Sequence, residues 1–482
     1  MNVDNHQQND NNKNRLLIPL GLEKYQKRFL DQTKNTKIIA SELKETIARK
    51  FLYQICSSLK LFDPIDSPPL IRFKMSPTFE TLMFVSQRVK DQTDAILSNK
   101  DFDLFQNSRI EFEESHISFA IDNHGAVERD DAISLGRLPQ KLIEKRASMG
   151  LATDPDDWLF VHISDTSRVV PPHSPIDHFA RFRASASYFP SASFLMFPPA
   201  ISSHLSIRGV RHQFLLSTSP SRWTTEMQSR YNYCITTATK INPNTGEIVD
   251  YEIFPSIVPG AVFLSYTETE RFLNDPQGGK DVFGVLLKRI QVLTNSRLRY
   301  RLQNGARVDP YVPRVSFAPG QSGDDLLPVL SPDFEQAEKA NSLVMEAMIA
   351  TGYLAAKVAR DHQLPFIYRA QLGTKDSPKT TLTRHASSST ERKNGILPVV
   401  LTPNPLPHQS LGLPVYSRFS SPIRRYGDFL CHHQICALLA GNEPPFTQAQ
   451  IEGLIPHLNT CTEVLSPFPF PFPVCQNQRE EN

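Results

Sequence analysis

Apolar and polar positions follow two rhythms along this chain, and the change between them divides it. Between residues 16 and 60, "LEKYQKRFLDQ" and "IASELKETIARKFLYQICSSL" place apolar residues three and four apart, the spacing of amphipathic helices. "LFDPIDSPPL" breaks that spacing with prolines, and "PTFETLMFVSQRVKDQTDAIL" resumes it. From about residue 116 the pattern turns to short apolar runs rich in β-branched and aromatic residues. "ISFAID" and "WLFVHIS" (158–164) predict buried strands, and "YNYCITTATKINPNTGEIVDYEIFPSIV" predicts two strands joined by a turn between Asn242 and Gly246.

Helical spacing then returns twice. One helix is predicted from about Ser331 to His362, with Ser331 as cap and Pro332 at its first position. A second is predicted from about Ser421 to Ala440 and stopped by Gly441. The polar stretch 374–395 has no periodicity and reads as a surface excursion. The predicted class is therefore α+β (mixed α/β), with strands packed by long helices. A disordered Asn/Gln/Asp-rich tail (1–15) and a helix-rich region (16–115) precede the mixed domain (116–440). The alternating Pro and Phe of "SPFPFPFP" predict an irregular C-terminal tail over 441–482.

Composition narrows the class of protein. With 482 residues, 40% of them hydrophobic and 21% charged, the chain has room for two or three ordinary globular domains. No apolar run approaches the roughly 18 residues that a membrane helix needs, so no membrane partner is expected. The start "MNVDNHQQNDNNKNR" has no apolar segment of the secretory kind. Six cysteines without a CxxC pair suit a reducing compartment, so the cytoplasm is expected, with an organelle as the alternative. A monomer is expected.

Net charge is only +2, which excludes a generally basic coat but leaves room for a local one. "LKRIQVLTNSRLRYRLQNGAR" (287–307) interleaves Arg297, Arg299 and other basic residues with Tyr300. It reads either as the solvated face of a helix or as a nucleic-acid contact.

Three constellations carry candidate chemistry. In "AIDNHGAVERDDAISL", Asp122, Glu128, Asp130 and Asp131 crowd together between apolar runs. A calcium-binding EF-hand would need oxygen ligands where His124 and Ala126 stand. Carboxylates at strand ends suit Mg²⁺ or Mn²⁺; a solvated acidic turn is the alternative. In "SSPIRRYGDF", Arg424 and Arg425 fall in the first turn of a predicted helix, where a bound phosphate would offset the unfavourable dipole. Asp428, four residues after Arg424, is placed to orient it, and a purely structural Arg–Asp pair is the alternative. Glu346 lies on an otherwise apolar helical stripe with Leu343, Ile349, Ala350 and Tyr353, so it is paired, protonated or used.

Together these stretches resemble the RNB catalytic domain of the ribonuclease II/ribonuclease R exoribonucleases. Ile121-Asp122 followed by Glu128-Arg129-Asp130-Asp131-Ala132 resembles the family's acidic signature, with Glu128 where the family carries Asp. "WLFVHISDTSRVVPPHSPIDHFARFRASASYFP", "GEIVDYEIFPSIVPGAVFLSY", "LVMEAMI" and "GLPVYSRFSSPIRRYGDFLCHHQI" follow in the family's order. The resemblance implies a 3′-to-5′ exoribonuclease that hydrolyses single-stranded RNA to nucleoside 5′-monophosphates with Mg²⁺, Mn²⁺ being the alternative ion. It implies metal ligation by Asp122, Glu128, Asp130 and Asp131. Catalytic roles fall to Asp130, Arg424, Tyr266 and Glu346, and RNA contacts to Tyr188, Arg424 and Arg425, with Arg297 and Arg299 added from the basic stretch. No C-terminal OB domain is expected after residue 440. A catalytically impaired RNA-binding or regulatory relative is the alternative function.

Overall fold

A computed structural model of the chain describes residues 87–465, apart from 99–102, 124–125, 189–192, 213–229, 276–280, 308–314, 320–325, 331–336 and 373–398. The helices expected between residues 16 and 60, the start of the helix expected at Ser331, the polar excursion and the Pro-Phe segment lie outside the described residues.

In chain order the elements begin with α1 (Gln87–Ser98), β1 (Ile110–Glu111), β2 (Ser118–Asp122), β3 (Asp131–Gly136), α2 (Gln140–Ser148) and β4 (Trp158–Ser164). They continue with α3 (Pro175–Arg183), β5 (Ser187–Tyr188), β6 (Ser193–Phe194), α4 (Pro199–Leu205), β7 (Gly209–Arg211), β8 (Asn232–Ile241) and β9 (Ile248–Val258). Next come β10 (Ala261–Ser265), α5 (Tyr266–Asn274), α6 (Val282–Gln303), β11 (Val315–Pro319), β12 (Leu326–Leu330) and α7 (Glu338–Asp361). The last are β13 (Tyr368–Ala370), β14 (Val400–Thr402), α8 (Tyr426–Ala440) and α9 (Gln448–Leu465). The mixed α/β class is borne out.

Among the described residues, one mixed sheet runs in the order β1-β9-β8-β4-β3-β2-β10-β7. β2, β3, β4, β8 and β9 pair antiparallel in turn, whereas β10 runs parallel to both β2 and β7. Side chains alternate between faces, and both faces are covered. Phe119, Ile121, Ile133, Leu159 and Val161 pack with Leu287 and Ile290 of α6 and Leu343 of α7. Ala120, Ala132, Trp158 and Phe160 pack on the other side with Leu142 of α2 and Phe254. This double burial is why β4 reads as an unbroken apolar run and why its bounds match those predicted.

A further core joins α3, α4, α7, α8 and α9 through Ile176, Ile201, Ala355, Phe429 and Ile455. Helix α7 is long and apolar enough to cross a membrane, but two thirds of it is buried inside the protein. Three expectations need correction. The sheet begins before residue 116, because β1 pairs with β9 at Ile110 and Glu111. The chain after Gly441 is not irregular throughout: Gln448–Leu465 forms α9 despite Pro456, since Ile451, Ile455 and Leu458 share one buried stripe. And α8 starts at Tyr426, not Ser421, because Arg425 is extended (φ −137°, ψ 121°) and bridges Ser185.

Candidate active site

The sheet gathers the acidic signature at one edge. β2 ends at Asp122 and its antiparallel neighbour β3 begins at Asp131, so the intervening turn returns both carboxylates to the same rim. Ser265, the last residue of β10, is in register with Asp122, which sets Tyr266 on that rim as the first residue of α5. A capping box between Ser265 and Glu268 fixes where α5 begins. β4 ends there too, its Ser164 N–H donating to the Asp130 carbonyl at 2.8 Å.

The SPIRR segment closes on this rim. Asp130 Oδ1 accepts the Ile423 N–H at 2.7 Å, and Asp130 Oδ2 accepts the Arg424 Nε–H at 3.0 Å. A second Arg424 nitrogen donates to Ser421 Oγ at 2.9 Å. The Arg424 side chain stays 41% exposed, so part of it remains open to a ligand. Arg425 does not share this partner. It pairs with Asp428, whose Oδ2 also accepts the Ser421 N–H. Asp428 therefore orients Arg425 rather than Arg424 as the spacing suggested, because the extended backbone at Arg425 breaks the helical four-residue relation.

The same extended segment carries Tyr188 into place. The Ala186 N–H donates to the Arg424 carbonyl at 2.9 Å, and the Tyr426 N–H to the Ala184 carbonyl at 2.8 Å. Two residues on, the Tyr188 hydroxyl donates to Glu128 Oε2, while Glu128 Oε1 is buried without a hydrogen-bond partner.

Crowding and burial perturb every carboxyl here. Burial pushes Asp122 up to about 6, and Asp130 adds to this while Arg129 and Arg424 oppose it. Burial pushes Glu128 up to about 7, against the pull of the Tyr188 hydrogen bond. Asp131 is raised well above the carboxylate range by burial and then by Asp122 and Asp130; Asp130 itself is raised by burial. Arg424 stays firmly cationic: burial works against the charge, but Asp130, Tyr188 and Asp131 together outweigh it.

This donor set suits a hard divalent cation. Asp122 and Asp131 repel each other, and Glu128 keeps an unused oxygen, all of which a cation would relieve. Among the described residues no three carboxyl groups form a ready-made cage. That is compatible with Mg²⁺, which takes one or two carboxylates and leaves the rest of its shell to water and phosphate.

Two other sequence-predicted residues, Glu346 and Arg297, take partners within the scaffold. Glu346 is fully buried and its two oxygens are taken by Arg301, at 2.9 Å from Nε to Oε2 and by a second contact to Oε1. Arg297 is buried on α6, donating to the Gly246 carbonyl at 3.1 Å and lying over Tyr300. Arg299 is exposed on the same helix. Sequence reasoning passed over Arg129, which acts on Asp122 and lies 4.2 Å above the Phe263 ring. It also passed over Arg418, which lines a cavity with Arg424, Arg425 and Tyr188. Arg129 sits inside the acidic signature and Arg418 six residues before Arg424, so proximity to the motifs was the available signal.

Residues 109–441 match a family profile described as RNB domain. The chain is 27% identical over 392 residues to "Ribonuclease II, chloroplastic/mitochondrial" of Arabidopsis thaliana, a match covering 79% of this chain and 43% of that one. It is 26% identical over 365 residues to "Exoribonuclease II, mitochondrial" of Schizosaccharomyces pombe, covering 67% and 35%. It thus spans less than half the length of these curated relatives. Among solved structures it resembles Mycoplasma genitalium RNase R in complex with ribose methylated single-stranded RNA, with a TM-score of 0.57 and 19% identity, covering 83% of this chain and 62% of that one. This last likeness is one of fold.

Proposed function

The chain belongs to the RNB domain family, and from that premise we propose that it is a metal-dependent 3′-to-5′ exoribonuclease releasing nucleoside 5′-monophosphates from single-stranded RNA. One observation carries the reading: an acidic strand edge meets a half-exposed arginine through the 3.0 Å Arg424–Asp130 bond. Carboxylates that attract a cation and a guanidinium that attracts an anion, joined at one point, suit a phosphodiester. The relatives' names, chloroplastic/mitochondrial and mitochondrial, favour an organelle over the cytoplasm expected from the sequence.

Asp122, Asp131 and Glu128 would hold Mg²⁺ or Mn²⁺, which when bound lowers the pKa of water and offsets phosphate charge. The other work falls to side chains. Arg424, held by Asp130 and Ser421, presents its remaining N–H groups to the non-bridging oxygens of the scissile phosphate. A cation fixed there stabilises charge that grows in the transition state without reorganising. Asp130 acts as a positioning residue through Arg424 and the Ile423 N–H. Tyr188 holds Glu128, and the rings of Tyr188 and Tyr266 offer stacking faces for bases at the 3′ end. Arg425 adds a cation beside Arg424, and Arg299 an exposed one on α6.

The test is purified chain with 5′-labelled single-stranded RNA and Mg²⁺. Shortening from the 3′ end with release of nucleoside 5′-monophosphates is expected, and a loss of at least about 100-fold in Asp131→Asn. Intact RNA across a range of Mg²⁺ and Mn²⁺ would overturn the reading.

A catalytically impaired RNA-binding relative is the second reading, favoured by Glu128. Its Oε2 is engaged by Tyr188 and its carboxyl is pushed up to about 7, so near neutral pH it is only partly ionised. Glu128→Asp separates the two: a large gain in rate favours impairment, and no gain favours a fully competent enzyme.

A further inference from the structure

The cavity beside the acidic edge holds more positive charge than a single scissile phosphate calls for. It encloses about 430 Å³ and is lined on its polar side by Arg418, Arg424, Arg425, Asp428 and Tyr188. Ile367, Leu401 and Leu458 give it an apolar side. Apolar residues beside a few convergent polar groups are the usual make-up of a ligand pocket.

Two of its arginines are already matched. Arg424 is bonded to Asp130 and Arg425 to Asp428. Arg418 is not: its guanidinium makes no hydrogen bond or ion pair with a described residue, and neither does that of nearby Arg369. Burial, reinforced by Arg369 and Arg425, pushes Arg418 down to about 9, with Asp428 acting against this. Unmatched guanidiniums that are partly buried are costly unless an anion joins them.

On the exoribonuclease reading, on which this inference rests, Arg424 serves the scissile phosphate on the 5′ side of the terminal nucleotide. A second anion within that nucleotide can sit only on its 3′ or 2′ oxygen. A phosphate monoester there carries nearly two charges and three acceptor oxygens, enough to engage several guanidinium N–H groups.

We propose that Arg418, together with Arg369 and Arg425, forms a second phosphate site in the active-site cavity, and that this chain takes RNA whose 3′ end carries a phosphate. The apolar wall receives the nucleoside between the two phosphates. Hydrolysis at such an end joins the water oxygen to the scissile phosphorus and breaks the bond from that phosphorus to the upstream O3′. The proton given up by water is restored at O3′, and the product is a nucleoside 3′,5′-bisphosphate.

The experiment compares two labelled single-stranded RNAs of one sequence, ending in 3′-hydroxyl or 3′-phosphate, bound to the full chain in EDTA. Binding of the 3′-phosphate RNA about tenfold tighter is expected. In Arg418→Ala the ratio should fall toward one, and Arg418→Lys should keep part of it. Equal affinities in the unaltered chain overturn the proposal, and that ratio decides even if Arg418→Ala does not fold. Equal weakening of both RNAs by Arg418→Ala also overturns it, assigning the arginine to an upstream phosphodiester. Binding is read without hydrolysis, so an inactive chain would refute the exoribonuclease reading without touching this ratio.

Discussion

Asp130 and Arg424 stand 294 positions apart in the chain, yet the Arg424 Nε–H donates to Asp130 Oδ2 at 3.0 Å. The neighbouring Ile423 N–H is bound by the same carboxylate, so one buried side chain ties the strand edge to the segment ahead of α8. Asp130→Ala should lower stability by about 1–3 kcal/mol, because it leaves that N–H unpaired, and should cut RNA hydrolysis at least about 100-fold by releasing Arg424. Urea unfolding alongside a rate measurement checks both. Near-normal hydrolysis by the folded variant would remove the positioning role.

The raised carboxyl of Asp122 makes a pH prediction. Its folded-state value of about 6 lies above its ordinary value, so the native state binds more protons than the unfolded chain between the two. Its contribution to stability is present below the ordinary value and is lost as pH rises toward and past 6. Buried His116, His432 and His433, each pushed down to about 4, act oppositely: they cost stability as pH falls below the ordinary histidine range. The readout is therefore the melting difference between the unaltered chain and Asp122→Asn in EDTA. The asparagine variant should gain relative stability as pH rises from 4.5 to 7.5, and a flat difference would refute the assignment.

Metal addition should show the complementary trend. Ligation needs deprotonated carboxylates, so Mg²⁺ should raise the melting temperature more at pH 7.5 than at pH 5. In Asp131→Asn that increment should shrink at both values. An Mg²⁺ effect independent of Asp131 would place the ion elsewhere.

Glu346 gives a test of structure against catalysis. Its pairing with Arg301 is buried on both sides, the side chains being 3% and 0% exposed. Removing one partner strands the other, so Glu346→Ala should cost about 3–5 kcal/mol, and the double change Arg301→Met/Glu346→Leu should recover much of it. A double variant that is stable and still hydrolyses RNA shows that the pair is structural. One that is stable and inactive returns Glu346 to the catalytic set.

Gly352 opposes helix propensity to packing. Alanine favours a helix interior by about 1 kcal/mol, yet a Cβ here would lie 2.3 Å from the carbonyl oxygen of Ser417, the residue before Arg418. The clash is with backbone and should win, making Gly352→Ala destabilising by about 1–3 kcal/mol. Thermal unfolding measures the sign directly.

Much of the fold was local and therefore legible. β4 runs from Trp158 to Ser164 as its apolar run predicts, and the β8–β9 hairpin turns between Asn242 and Gly246, where Gly246 has φ +75°. Periodicity and turn chemistry act within a few residues, so a sequence displays them. The acidic edge and the arginine motif were likewise visible, and their linked order identified the family. Tertiary contacts decided the rest. Extended pairing with residues 184–186 moved the start of α8 from Ser421 to Tyr426, and with it Asp428 passed from Arg424 to Arg425. Arg301 claimed Glu346, and buried packing of Ile451 and Ile455 outweighed Pro456 in α9. Each is a competition between a local preference and a partner far along the chain, and only the folded chain brings those partners close enough to win.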